Sequence, residues 1–255
     1  MRVAFSYLSG PVWGHRVRCQ VLQRELTRRG HELVSVGYEP DWLVVDWPNH
    51  QIPVLPQARR LLMGQLPIRD ADYAWHPLGG NHARTLSGIK YIIVDPELQQ
   101  YGVQDREPVG ILITCGASDP MHVTEHLLDV LPNDYVVTVV VGPHFNRNIK
   151  VPDNWTITEQ VASNQQLVGL MQQHKLVLAT WGTTVFEGLA TGSLVIPITI
   201  NQEQANEAHR LRMPFIKLEY LYDYTLARMI ATTPRNNYGI DFQGAARTVD
   251  WLESI

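Results

Sequence analysis

Short apolar segments, each followed by a turn and then by a helical pattern, recur along most of the chain. Segments such as Tyr135–Val141 and Leu194–Ile198 are apolar at nearly every position, which is typical of strands buried on both faces of a parallel sheet. Helices that alternate with such strands cover both faces of that sheet. The pattern therefore predicts an α/β fold of the doubly wound, Rossmann type, in which ligands bind at the carboxyl ends of the strands.

The chain is expected to form two such domains of unequal size. Its 255 residues allow one large domain or two small ones, and the polar segment 99–108 marks the best boundary. We assign residues 1–100 to a reduced N-terminal α/β domain and residues 101–255 to a domain of six strand–helix units. Segment 47–90 is rich in proline and is the least readable part. A cleft is expected between the two domains.

Local patterns give predictions for single elements. A helix is predicted over His15–Arg29, and Gly30 is expected to end it in a left-handed conformation. Tyr91–Val94 is predicted to form a strand. A further helix is predicted over Pro120–Val130, because proline suits the first position of a helix.

The composition excludes several classes of protein. With 45% hydrophobic and 18% charged residues, the chain is too apolar to be disordered. No apolar run approaches the ~20 residues that cross a bilayer, and the N-terminal residues lack an apolar run of signal-peptide length. Cys19 and Cys115 are too few for a disulfide framework and suit a reducing compartment. We therefore expect a cytoplasmic protein without a transmembrane segment.

The net charge of −4 is unevenly distributed along the chain. Residues 1–100 hold 11 Lys and Arg against 9 Asp and Glu, whereas residues 101–255 hold 10 against 16. Among the charged side chains before residue 31, Glu25 alone is acidic, and the others are arginines. This basic start is either a solvated helix face or a site for an anionic group.

The first glycine-rich turn ends in Gly14 and His15, with Arg16 and Arg18 directly after them. His15 stands where a helix follows a strand, at the edge where ligands bind in such folds. A neutral imidazole can remove a proton near pH 7, which makes His15 a candidate general base. Ordinary packing or helix capping is the alternative.

A second turn runs from Thr114 to Pro120 and contains Gly116 and Ser118. Glycine lets the backbone approach a ligand closely, and the N-terminus of the following helix attracts phosphate. The backbone of Gly116–Ser118 is therefore a candidate phosphate contact. The alternative is a plain helix cap at Ser118 or Asp119.

A third turn contains Gly182, Thr183 and Thr184, and Glu187 follows one helical turn later. Either threonine is expected to cap the helix, and its hydroxyl suits a phosphate oxygen. Glu187 is a candidate acceptor for the vicinal hydroxyls of a ribose, with a helix-dipole contact as the alternative. Beyond the next strand, Gln202 and Asn206 are candidates for a sugar, or else a solvated helix start.

Several familiar sites are absent from the sequence. The chain has no G-x-G-x-x-G fingerprint, no P-loop lysine motif, no HExxH and no G-x-S-x-G elbow. His122 and His126 have metal-ligand spacing on one helix, but no third ligand stands near them in the sequence. The sequence therefore favours phosphate binding without NAD, without ATP hydrolysis, and without a metal or other cofactor.

Together these motifs resemble those of the GT-B nucleotide-sugar enzymes. The resemblance is closest to the UDP-sugar hydrolases of the pseudaminic acid pathway and to the N-acetylglucosaminyltransferase that makes lipid II. It covers the second domain throughout, but only residues 1–46 and 90–98 of the first. The segments that carry it are Gly10–Cys19, Asp41–Asp46, Lys90–Leu98, Ile111–Pro120, Trp181–Ala208 and Gly239–Leu252.

The resemblance implies a fold of two Rossmann-type domains facing a cleft, the N-terminal one reduced, and a role for each matching residue. His15 or Asp46 would be the catalytic base, with Arg16 and Arg18 near the acceptor or a phosphate. The donor would be a UDP-sugar, bound without a metal because helix dipoles and N–H groups offset the diphosphate charge. Gly14 would also be a donor contact. The other donor contacts would be Gly116 and Ser118 at the diphosphate, Val161 at the base, Gly182, Thr183 and Thr184 at phosphate oxygens, Glu187 at the ribose, and Gln202 and Asn206 at the sugar.

Four functions remain open on the sequence. An inverting glycosyltransferase with an acceptor hydroxyl is the first, and a hydrolase of the same donor, with water as acceptor, is the second. A transferase acting on modified bases in viral DNA is the third, suggested by the basic start and the reduced first domain. A nucleotide-sugar binding module without catalysis is the fourth, which the presence of both His15 and Glu187 disfavours.

Overall fold

The computed structural model describes residues 1–7, 13–46, 55, 57–64, 71–79, 83–101, 108–159, 161 and 163–255. Its strands are β1 Arg2–Tyr7, β2 Glu32–Val34, β3 Trp42–Asp46, β4 Arg59–Met63, β5 Tyr73–Trp75, β6 Thr85–Leu86, β7 Ile111–Thr114, β8 Val137–Val141, β9 Thr156–Glu159, β10 Leu176–Thr180, β11 Val195–Thr199 and β12 Ile216–Lys217. Its α-helices are α1 Trp13–Arg28, α2 Val123–Val130, α3 Asn164–Gln173, α4 Thr183–Ala190, α5 Gln202–Arg210, α6 Asp223–Thr232 and α7 Gly244–Ser254.

The chain divides into two compact units, each built on its own six-stranded sheet. Unit 1 comprises Met1–Asp95 and Asp241–Ile255, and unit 2 comprises Pro96–Ile240. All paired strands in both sheets are parallel. The predicted doubly wound α/β fold is therefore confirmed.

The sheet of unit 1 has the order β2-β1-β3-β4-β5-β6. The strand order reverses between β1 and β3, and such a switch point is where open α/β sheets bind their ligands. Tyr7, the last residue of β1, lies opposite Asp46, the last residue of β3. The carboxyl end of β3 therefore places Asp46 directly at the switch point.

Unit 1 has a six-stranded sheet, and three of its connections lack a crossover helix in the residues that the structure describes. These connections, from β3 to β4, from β4 to β5 and from β5 to β6, span 47–58, 64–72 and 76–84. A helical crossover between parallel strands normally needs about a dozen or more residues. The second and third connections are shorter than that.

One face of this sheet is covered by α1 and α7. Cys19, Leu22 and Leu26 form the buried stripe of α1 that their spacing predicts, and Gly30 follows the helix with φ of 81°. Val249 of α7 belongs to the same core. The C-terminal helix was expected in the second domain, whereas its apolar face packs in unit 1.

The sheet of unit 2 has the order β12-β11-β10-β7-β8-β9. Numbered within the unit, this is the order 3-2-1-4-5-6 read from the other edge, which is that of dinucleotide-binding Rossmann domains. Its core is apolar on both faces of the central strands, with Ile113 and Leu178 fully buried. The switch point lies between β7 and β10, so the turns after these two strands are its ligand edge.

Two local predictions were wrong. Tyr91–Val94 is not the predicted strand: Tyr91 ends a 3-10 helix at Ile89–Tyr91, and the next three residues pair with no described strand, although Ile92, Ile93 and Val94 are buried as expected. The helix predicted from Pro120 begins three residues later, because His122 takes a left-handed conformation with φ of 55°. The first prediction failed because an apolar run predicts that a segment is buried, but does not show that its backbone pairs with a strand.

Among the described residues, every helix is too short or too polar to span a bilayer.

His174, which ends α3, gives a prediction for the dependence of stability on pH. Its Nδ1 donates to the Leu170 carbonyl at 2.7 Å and its Nε2 lies 2.9 Å from the Thr138 hydroxyl. Burial lowers the pKa of His174 below its ordinary value, although the Leu170 hydrogen bond opposes that shift. The unfolded chain therefore binds this proton more readily, so the free energy of unfolding should fall as pH drops below about 6.5.

Urea unfolding at a series of pH values between 7 and 5 would measure this loss. His174→Gln cannot titrate in that range, so its free energy of unfolding should fall less steeply than that of the wild type. Equal slopes for the two proteins would show that His174 is not responsible.

Candidate functional sites at the two switch points

The switch point of unit 1 holds a buried carboxylate surrounded by donors. Asp46 is 0% exposed and accepts from both Nε and Nη2 of Arg18, and its Oδ1 lies 2.6 Å from His15 Nδ1. The Cys19 thiol lies 3.5 Å from its other oxygen. Residues from α1 and β3, 28 and 31 positions apart, thus form one cluster.

The charges in this cluster are balanced. Burial alone would raise the pKa of Asp46, but the charge and hydrogen bonds of Arg18, helped by His15, outweigh it and hold that pKa below its ordinary value. Burial, with the nearby Asp46 charge, raises the pKa of the Cys19 thiol far above its ordinary value. Asp46 is therefore ionised at neutral pH, and Cys19 is a neutral packing residue without nucleophilic character.

Arg18 is held in place from several sides. Its guanidinium carbon lies 5.3 Å from the centre of the Trp75 ring, and a methyl group at Gly64 would come within 3.3 Å of its Nη2. The sequence analysis assigned Arg18 to the acceptor or to a phosphate. In the structure its guanidinium forms an ion pair with Asp46, and its side chain is only 16% exposed.

His15 presents its second ring nitrogen for chemistry. His15 Nδ1 lies 2.6 Å from Asp46 Oδ1 and 3.0 Å from Arg18 Nη2. An ionised carboxylate only accepts hydrogen bonds, so the shorter contact favours the tautomer with a proton on Nδ1. In that tautomer Nε2 carries a lone pair, and among the described residues it has no hydrogen-bond partner. The side chain is 24% exposed. This arrangement makes His15 a candidate base and Asp46 a candidate group to orient it.

The arginines of the basic start are mostly neutralised within unit 1. Arg16 is exposed and, in the part of the chain that the structure describes, makes no ion pair. A basic surface for a phosphodiester backbone needs several unpaired cations, and most arginines of this segment have an acidic partner. The ion pairs are Arg2–Glu32, Arg18–Asp46, Arg24–Asp95, Arg28–Glu25 and Arg29–Asp250.

In unit 2 the turns after β7 and β10 lie side by side. Gly116 has φ of 81°, which favours glycine, and a methyl group there would lie 3.8 Å from Thr180 Oγ1. Gly116 is exposed and Ser118 is half-buried. The structure therefore brings the second and third glycine-rich turns together at one switch point, as the topology of Rossmann sheets requires.

The helix after the second turn has no free N-terminus. The Asp119 carboxylate accepts from the backbone N–H groups of Val123 and Thr124, both at 2.9 Å. Asp119 thus accepts from the first two backbone N–H groups of α2, although it lies four residues before the helix. Ser118 does not cap the helix. Of this turn, only the backbone of residues 116–118 remains for a phosphate.

The helix after the third turn is open at its N-terminus. Gly182 is the N-cap of α4, and no side chain caps it; the expectation that Thr183 or Thr184 caps this helix was wrong. By contrast, Ser163 caps α3 and Asn201 caps α5 through their side chains. Uncapped N–H groups at a helix start attract anions.

The other predicted donor contacts lie on the same carboxyl edge of unit 2. Glu187, in α4, is 2% exposed, and its Oε1 accepts from Asn164 Nδ2 at 2.7 Å. Asn164 begins α3, shortly after Val161, which is half-buried. Glu187 is therefore tied to the segment that was predicted to face the base, and Asn164 is a contact that the sequence analysis missed.

Gln202 and Asn206 are exposed neighbours on α5, with 2.9 Å between Gln202 Nε2 and Asn206 Oδ1. Lys217, the last residue of β12, donates to Gln202 Oε1 at 3.0 Å and was not predicted. Its position at the end of a short apolar strand is the sequence signal that could have identified Lys217, since the carboxyl ends of the strands converge on the ligand edge. Lys217 fixes the orientation of the Gln202 amide, because an ammonium group can only donate.

No family model matches the sequence, and no curated protein sequence matches it either. Solved structures are similar over the whole chain. The spinosyn rhamnosyltransferase SpnG, complexed with spinosyn aglycone, is 14% identical with a TM-score of 0.59, covering 100% of this chain and 96% of that one. MurG of Acinetobacter baumannii is 12% identical with a TM-score of 0.65, covering 100% and 99%.

A third similar structure is the UDP-GlcNAc 2-epimerase of Methanocaldococcus jannaschii in complex with UDP-GlcNAc and UDP. It is 10% identical with a TM-score of 0.66, and the similarity covers 100% of both chains. Identities this low show the fold alone. The predicted resemblance is confirmed at that level: the chain has the fold of the GT-B nucleotide-sugar enzymes.

Proposed function

We propose that this protein is an inverting glycosyltransferase that takes a sugar from a nucleotide diphosphate donor, a UDP-sugar, and needs no metal. The observation that carries the proposal is the open N-terminus of α4 at the switch point of unit 2. Its uncapped N–H groups, the Thr183 and Thr184 hydroxyls and the adjacent backbone at Gly116 suit a diphosphate. Such fixed dipoles offset the charge that develops on a leaving diphosphate.

Unit 1 supplies the base in this proposal. His15 Nε2 removes the proton from the acceptor hydroxyl, whose oxygen then attacks C1 of the sugar. The bond from C1 to the phosphate oxygen breaks, and the electron pair leaves with UDP. Asp46, ionised and hydrogen-bonded to Nδ1, stabilises the imidazolium that forms.

The hydrolase alternative uses the same dyad with water in place of the hydroxyl. UDP release from UDP-sugars, measured with and without candidate acceptors, separates the two. Release that depends on a glycan, lipid or DNA acceptor supports transfer, whereas full release in buffer alone supports hydrolysis.

Binding of UDP tests the donor site directly. We expect isothermal titration calorimetry in EDTA to show UDP binding tighter than uridine by about tenfold or more, because charged hydrogen bonds to phosphate are worth about 1.5–3 kcal/mol. Thr183→Val with Thr184→Val should weaken UDP binding by about tenfold. Thr232→Val, at an exposed position of α6, is the matched control. Equal affinity for UDP and uridine would contradict a diphosphate site.

A further inference from the structure

We propose that Arg147 is a positioning residue, which acts through Asp119 to hold the 116–118 backbone in its phosphate-binding geometry. The proposal rests on the function proposed above, since it assigns a role within the same donor site. Arg147 lies in the segment that follows β8, next to the turn that follows β7. It belongs to no motif singled out in the sequence.

Asp119 is the group through which Arg147 acts. Its side chain is 1% exposed, and its Oδ2 accepts from both the Thr124 amide and Arg147 Nη2 at 2.9 Å. A carboxylate this deeply buried is costly without a cation beside it. Asp119 also has φ of 42°, a left-handed conformation that a non-glycine residue holds only with support. Arg147 supplies the charge that keeps this side chain inside.

Arg147 is itself fixed by a second set of contacts. Its Nη2 lies 2.7 Å from Glu125 Oε2, and its Nε donates to the other Glu125 oxygen. Its guanidinium carbon lies 4.9 Å from the centre of the Phe145 ring. The hydrogen bond from Arg147 lowers the pKa of Glu125 to about 2, although burial opposes the shift. The guanidinium thus has a single defined position between two carboxylates.

The segment that carries Arg147 packs against the backbone carbonyls of the turn at 116–118. The His144 amide donates to the Ala117 carbonyl at 2.9 Å. A methyl group at Gly142 would come within 2.4 Å of the Gly116 carbonyl oxygen and 2.5 Å of the Ala117 one. Both carbonyls therefore point toward the segment after β8.

The peptide geometry then fixes where the amides point. A trans peptide places its N–H opposite its carbonyl, and the described chain has no cis peptide bond. The amides of Ala117 and Ser118 consequently point away from β8, which is the side of β7 on which β10 lies. These are the donors that a diphosphate at the switch point would use. Moving Arg147 or Asp119 would turn them away.

Arg147→Met tests this role, with UDP and uridine as probes in calorimetry. We expect UDP affinity to fall by about tenfold or more, because two or more charge-assisted hydrogen bonds lose their geometry. Uridine affinity should stay within about twofold, since in the proposed site the base and the ribose lie at Val161 and Glu187 and not at this turn. Glu125→Gln removes the charge of the outer partner but leaves the Asp119 contact, so its loss should be smaller. Arg228→Met, at an exposed position of α6, is the matched control.

Hydrogen exchange without ligand gives an independent readout. The Val123 and Thr124 amides should exchange faster in Arg147→Met than in the wild type, while β7 and β10 keep their protection. Arg147→Lys, which restores the charge, should recover part of both losses. Unchanged UDP affinity in folded Arg147→Met, or equal losses for UDP and uridine, would overturn the positioning role alone. A wild-type protein that binds no UDP would overturn the proposed function as well.

Discussion

Replacing His15 by alanine should lower the rate of sugar transfer by about 10²- to 10⁴-fold, the usual contribution of a positioned general base. The affinity for UDP should change by less than about threefold, because the proposed diphosphate contacts belong to unit 2. Initial rates of UDP release in the presence of the acceptor measure the first effect, and calorimetry with UDP measures the second. A rate within about threefold of the wild type would show that His15 is not the base.

Asp46→Asn tests the contribution of Asp46 to the dyad. If Asp46 orients His15, the amide should lower the rate strongly, since it can present N–H instead of an acceptor to Nδ1. It also leaves Arg18 without a counter-charge, so a loss of stability of about 3–5 kcal/mol is expected. Rates must therefore be compared at temperatures where circular dichroism shows both proteins folded.

Cys19 provides the control for damage near the dyad. Its thiol contacts Asp46 at 3.5 Å and is fully buried, yet its raised pKa excludes nucleophilic chemistry. Cys19→Ala should leave the rate of transfer within about threefold while lowering stability by about 1 kcal/mol. A loss of rate as large as that of His15→Ala would mean that packing around Asp46, and not proton removal, controls activity.

The fold and the ligand edge followed from local patterns. Strands buried on both faces, such as β7 and β10, read as continuous apolar runs, and the glycine-rich turns follow them directly. The switch-point rule then places Gly116 and Gly182 together without any knowledge of side-chain contacts. His15 was found in the same way, as the residue at a helix start after a strand.

The contacts between distant segments were beyond local patterns. The ion pair of Arg18 with Asp46 joins residues 28 positions apart, and so does that of Arg147 with Asp119. The sequence does not distinguish an arginine that is free from one that forms an ion pair. A site for an anionic group at the basic start therefore stayed open. The open N-terminus of α4 was missed for a related reason. Threonine favours the cap position statistically, but whether it caps depends on where the backbone turns.

The last helix illustrates a long-range packing constraint that one substitution can test. Gly244 begins α7, and a methyl group there would come within 1.9 Å of the Ile92 carbonyl oxygen and 2.6 Å of its carbon. Backbone atoms cannot rotate away as a side chain can, so α7 must shift from the sheet of unit 1. Val249, which belongs to the core of that unit, would move with the helix. Thr248 donates to the Gly244 carbonyl and ties the first turn together.

Gly244→Ala should therefore lower the free energy of unfolding by about 3 kcal/mol, at the upper end for overpacking. In thermal unfolding this corresponds to a fall in Tm of roughly 6–12 °C for a chain of this size. Gly169→Ala is the same chemical change inside α3, where a methyl group would have nothing within 4 Å. It should stabilise the protein by about 0.5–1 kcal/mol, because alanine loses less backbone entropy in a helix. Opposite signs for the two variants would show that contact with Ile92, and not helix propensity, requires glycine at 244, whereas a neutral Gly244→Ala would contradict the close approach of α7.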